Sequence, residues 1–277
     1  MPFTLRKMIA VLTLSLISMA GHAALSATEQ QKLDSTIAQL NQLPKTQNKF
    51  TEQAKAQALI FVAQIVKANP NLAAALTEFA IRQGAGVSAT VKAITKVAPK
   101  QAAVIVESAI KASKPSMAAA IAAAALSVAP KQAAAITKAA ISVSPKQAAA
   151  ITSAAISTAP SQTQSILQTA MQMGSSSEER RKVAIAADNA GIREAFINQV
   201  LRDVTLNNKG QYEVFKHNQN NTSDSVIIVG SVNNQSNTAP IGTSQTQGVT
   251  ISLNTPQNNS TGGGGGNCQK ILTATCS

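Results

Sequence analysis

The sequence predicts an all-α fold: an α-solenoid of about seven 15-residue, Pro-initiated, Ala-rich helical repeats with helical caps, followed by a polar low-complexity tail of weak β character. Three observations predict it. One short unit recurs five times, opening at Pro99, Pro115, Pro130, Pro145 and Pro160. Alanine, the best helix former, fills the middle of each copy. The apolar side chains return at about 100° per residue, the helical period.

Each copy reads as one helix. Proline suits the first helical position, because the N–H it lacks would have had no partner there. In the Pro145 copy, Ser144 and Gln147 stand at capping-box spacing. A single long helix through all five prolines would cost about 3 kcal/mol at each. The regular spacing of those costs argues against it.

The faces follow from the period. The seventh position is Ile105, Ile121, Ile136, Ile151 and Ile166, and the eleventh is Ala109, Ala125, Ala140, Ala155 and Ala170. Ile110, Leu126, Ile141, Ile156 and Met171 form one flank. Ala120, Ala124, Ala135, Ala139, Ala150 and Ala154 form a small-residue flank, expected to touch neighbouring helices closely. Lys131, Lys138 and Ser142, then Lys146, Ser153 and Ser157, make the outward polar stripe. Helices of about 12 residues are marginal alone, so successive units are expected to pair as antiparallel hairpins and stack.

Before the array, residues 1–23 read as a secretory signal. Arg6 and Lys7 precede an apolar stretch over 8–19, and Gly21-His22-Ala23 supplies a small-x-small cleavage site. The apolar stretch is shorter than the roughly 20 residues a membrane span needs. Its removal would lower the net charge from +12 to +10. Residues 24–69 read as an N-terminal helical cap. Ser26-x-x-Glu29 opens its first helix, Ile37, Leu40 and Leu43 carry the stripe to Pro44, and a second helix spans about 51–68. Asn69-Pro70 starts the repeats, 84–98 is a degenerate copy, and the array occupies 70–173.

After the array, 174–206 reads as a C-terminal helical cap, with Gly191 separating two helices. The run Glu178, Glu179, Arg180, Arg181, Lys182 suits the helix dipole and reads as a solvated face. Residues 207–267 form an Asn/Gln/Ser/Thr/Gly-rich tail, with strand-like runs at 226–229 and 249–253. Residues 268–277 form a terminal loop bounded by Cys268 and Cys276, whose simplest state in an exported chain is one disulfide.

Composition points away from catalysis. Aromatics are 3% of the chain and tryptophan is absent. The acids Glu29, Asp34, Glu52, Glu78, Glu107 and Asp188 are scattered, and His217 lies alone in the tail. There is no nucleophile elbow, and the glycines at 262–266 lack the Lys-Ser/Thr of a phosphate loop. No catalytic residue, metal or cofactor is expected, and no small-molecule substrate.

The positive charge is the better guide. Residues 70–160 hold nine cations against Glu78 and Glu107. Lys100, Lys131, Lys138 and Lys146 are the candidate polyanion-binding residues, for acidic polysaccharide, lipopolysaccharide or extracellular DNA. The competing reading is that lysine merely keeps an Ala-rich surface soluble. The resulting expectation is an exported, non-enzymatic structural or surface-matrix scaffold, secreted, at the cell surface or periplasmic, with a self-associating tail. A membrane-active helical protein acting on anionic lipid and a periplasmic binding module are the alternatives.

Overall fold

A computed structural model describes residues 25–206, 211–216 and 226–231. Among them are eleven α-helices, packed side by side in a repeated Pro-initiated arrangement. In chain order they are α1 (Ala27–Leu40), α2 (Glu52–Ala68), α3 (Ala73–Arg82), α4 (Val87–Val97), α5 (Ala102–Lys111) and α6 (Ala118–Leu126). Then follow α7 (Ala133–Val143), α8 (Ala148–Thr158), α9 (Thr163–Met173), α10 (Ser177–Asn189) and α11 (Glu194–Thr205).

Among the helices, each packs most extensively against one two places along. The rod therefore has two layers. The first contains α2, α4, α6, α8 and α10, and the second contains α3, α5, α7, α9 and α11, with α1 against α3. Short connections return the chain at every joint, so the layers run in opposite directions. This is the predicted solenoid of seven units.

Proline makes the joints. Each of Pro70, Pro99, Pro115, Pro130, Pro145 and Pro160 starts a 3₁₀ turn that leads into an α-helix. Four residues before these prolines share one conformation, φ near −130° and ψ near 60°: Ala98, Ala129, Ser144 and Ala159. A residue before proline is pushed out of the helical region, and here that bias reverses the chain. Gly86, at φ +88°, performs the reversal before α4, where no proline stands.

The joint also corrects the expected capping box in the Pro145 copy. The Gln147 N–H donates to the Ser144 carbonyl at 2.9 Å, as Gln162 does to Ala159. The Ser144 hydroxyl is buried without a partner. A backbone carbonyl does the work, so alanine serves equally well here. Ser144→Ala is expected to leave stability unchanged or raise it by up to about 1 kcal/mol. Ser176→Ala, which removes an observed side-chain cap, should cost about 1 kcal/mol. Thermal denaturation of both variants checks the contrast, and equal losses would contradict it.

The core is the predicted one. All five seventh-position isoleucines and all five eleventh-position alanines are fully buried. The flank of Ile110, Leu126, Ile141, Ile156 and Met171 is also buried. The small flank needs correction. Ala124 is buried, Ala139 and Ala154 are half-buried, but Ala120, Ala135 and Ala150 face solvent. Those alanines favour the outer helical turns through propensity.

Ser26 and Glu29 form the expected capping box and α2 matches its expected span, but α1 ends at Leu40, short of Leu43 and Pro44. Between α1 and α2 lies an unforeseen hairpin of β1 (Lys45–Thr46) and β2 (Lys49–Phe50). Gln47 and Asn48 both take positive φ, the demand of a tight two-residue hairpin turn. Phe50 is buried, and its N–H donates to the Gln83 carbonyl, pinning the turn after α3.

A second hairpin, β3 (Gln211–Lys216) with β4 (Val226–Ser231), lies against α10 and α11. The β4 run was legible in the sequence, whereas β3 was not. The signal-like segment 1–23, His217, the 249–253 run, the glycines at 262–266 and Cys268 and Cys276 lie outside the described residues.

Candidate functional site

The two-layer alternation decides where the lysines go. Lys100 opens α5 and Lys131 opens α7, neighbours in the second layer, so both stand on one edge of the rod. Lys146 opens α8 in the first layer, whose helices start at the opposite edge. Lys138 lies midway along α7 on the outer face. The structure thus brings Lys100 and Lys131 to a common edge and places Lys138 and Lys146 elsewhere. Packed helices lie about 8–10 Å apart. This is close to the screening length at physiological salt, so the fields of lysines on adjacent helices of one layer overlap.

Charge in the array is one-sided. Glu78 is paired with Arg82 at 2.7 Å, and Glu107 with Lys111 at 2.5 Å. Lys92, Lys96, Lys100, Lys114, Lys131, Lys138 and Lys146 are exposed, with no ion pair among the described residues. Both acids of this stretch are therefore neutralised locally, and seven ammonium groups face water.

A different cluster closes the C-terminal end. Arg180 donates to Glu213 through Nε at 2.6 Å and Nη2 at 2.7 Å, and its Nη1 donates to the Gly174 carbonyl. Ser177 Oγ donates to the same carboxylate at 2.5 Å. Burial alone would raise the Glu213 pKa, but the hydrogen bonds from Arg180 and Ser177 prevail and hold it below the ordinary value. The same pairing raises Arg180 against its own desolvation. Arg180 is thus turned inward, which corrects its reading as part of a solvated face. Arg181 and Lys182 pair with Glu178 on α10 itself.

The outer edge of β3 is satisfied by α11. Asn198 accepts from the Phe215 N–H at 2.6 Å and donates to its carbonyl at 3.0 Å. Thr205 accepts from the Glu213 N–H at 2.8 Å. Phe215 is fully buried beneath them. This clasp was missed because its partners are 33 residues apart for Arg180 and Glu213, and 17 for Asn198 and Phe215. The local traces are Ser176-x-x-Glu179, which marks the α10 cap, and a polar–apolar alternation over Gln211, Tyr212, Glu213 and Val214 too short to define a strand.

A groove of about 430 Å³ runs beside the clasp, lined among others by Met171, Arg180, Val204, Tyr212, Glu213 and Val229. Its charged groups, Arg180 and Glu213, are paired to each other. Among the described residues, no group of three or more His, Cys, Asp or Glu side chains could hold a metal ion. No described helix is long and apolar enough to cross a membrane.

These features define an α-solenoid repeat protein with a hairpin-clasped end. No protein-family model matches the chain, and comparisons with curated proteins and with solved structures find no match either.

Proposed function

We propose that the protein is an exported, non-enzymatic structural scaffold of a cell surface or extracellular matrix, whose basic array holds polyanions and whose polar tail self-associates. The observation that carries the reading is the set of seven exposed lysines without ion pairs on a rigid two-layer rod. Export rests on Arg6, Lys7 and the apolar stretch that follows them. The packed helices fix the spacing at which the lysines leave the backbone, and each phosphate, sulfate or carboxylate they neutralise releases counterions.

The test is retention on immobilised heparin and on DNA. The chain is expected to bind both at low salt and to elute at moderate salt. The logarithm of affinity should fall linearly with the logarithm of salt concentration. Lys100→Gln with Lys131→Gln should flatten that slope by about one to two ions. No retention at low salt rejects the polyanion reading.

A further inference from the structure

On the outer face of the second layer, a groove of about 500 Å³ runs beside α9 and reaches Ala134 on α7. Its lining is uncharged: apart from Ala134, every lining residue is a Ser, Thr or Gln. Gln164, Gln168 and Gln172 are exposed and four residues apart, so they form one row about 6 Å apart along the helix axis. None of the three amides has a hydrogen-bond partner among the described residues. In α7, the helix beside it, the corresponding outward positions are Ala134, Lys138 and Ser142.

Charge stands just beyond that lining, on the α7 side. Ala134 stands three residues after Lys131 and four before Lys138, so both lysines lie on its side of α7. Lys138 is exposed, as is Lys131. Alanine between them leaves the wall low. Two cations thus stand beyond Ala134, across the groove from the row of amides.

We infer that this face is built for an acidic polysaccharide, with Lys131 and Lys138 attracting its anionic groups and the Gln164–Gln168–Gln172 row hydrogen-bonding its hydroxyls. The inference rests on the polyanion reading and narrows it to one ligand class. An amide offers both a donor and an acceptor, which matches a hydroxyl. The spacing of the row is on the scale of one sugar ring. Duplex DNA presents its phosphates outermost, and amides add little to a contact dominated by phosphate charge. No aromatic side chain lines the groove on which a base could stack.

The test compares the full chain with Gln164→Ala/Gln168→Ala/Gln172→Ala and with Lys131→Gln/Lys138→Gln. The probes are polygalacturonate, neutral dextran and a short DNA duplex. The glutamines are exposed and alanine favours helix, so far-UV circular dichroism of the first variant should match wild type. Its affinity for polygalacturonate should fall about tenfold while DNA binding stays unchanged. The lysine variant should weaken on both anionic probes, and dextran should bind weakly throughout. The inference is overturned if the glutamine variant binds polygalacturonate like wild type or loses DNA equally. Dextran held as firmly as polygalacturonate would overturn it too. Wild type binding DNA alone overturns the polysaccharide assignment and leaves the polyanion reading standing. Binding neither anionic probe removes both.

Discussion

Ile151→Lys is expected to lower the unfolding midpoint by about 10 °C or more, from a loss on the order of 4 kcal/mol. Ile151 is fully buried on α8, a helix that contacts α6 and α10 in its own layer and α7 and α9 in the other. An ammonium group there has no acid within its own repeat to pair with. Because each helix in a solenoid is supported only by its neighbours, the damage should spread along the array and broaden the transition. The adjacent Ala150 provides the control. It faces solvent, so Ala150→Lys should stay within about 0.5 kcal/mol of wild type. Thermal melts by far-UV circular dichroism check both. An Ile151→Lys transition identical to wild type would remove the core assignment.

Glu213→Gln should release the β3–β4 hairpin from the end of the rod. The side chains of Arg180 and Glu213 are 17% and 11% exposed, so removing one charge strands the other in a largely dry site. A loss of roughly 3 kcal/mol is expected, confined to the hairpin and α11. Tyr212 is the chain's one tyrosine and tryptophan is absent, so its emission reports on the clasp alone. Changed Tyr212 emission and faster exchange of the Phe215 amide are the predicted readouts, while the array keeps its helical signal. Unchanged emission and exchange would show that Asn198 and Thr205 suffice.

The same contact predicts a pH dependence. Glu213 is held below its ordinary pKa in the folded state, so between the two values the unfolded chain binds more protons than the folded one. The stabilisation is complete above the unfolded value, about 4.3, and is lost as pH falls through the lower folded value. Hairpin protection should therefore decline in acid below about pH 4 and remain level between pH 6 and 8. The Glu213→Gln variant should lack that step. Glu178, also lowered through its Arg181 hydrogen bond, contributes in the same direction on α10 and is untouched by the substitution.

Much of the fold was legible because its information is local. Proline at a regular interval marks each helix start, and an isoleucine six residues later marks the side that must leave water. Ser26 and Glu29 showed their cap for the same reason, being within one turn. The Ser144–Gln147 pair had the right spacing and the wrong geometry. The backbone before Pro145 turns into a conformation that presents the carbonyl and leaves the hydroxyl buried. Spacing alone does not encode that difference.

By itself, the sequence determined the repeat, the helical state of each unit, the isoleucine–alanine core and the excess of lysine over acid. Tertiary structure alone decided which lysines share an edge. Antiparallel stacking sends alternate units to opposite layers, so a lysine at the same place in successive copies appears on opposite sides of the rod. It also decided that Arg180 turns inward to Glu213. The reason in both cases is the same: helical period is set by hydrogen bonds four residues apart, whereas these placements arise only once distant segments have met.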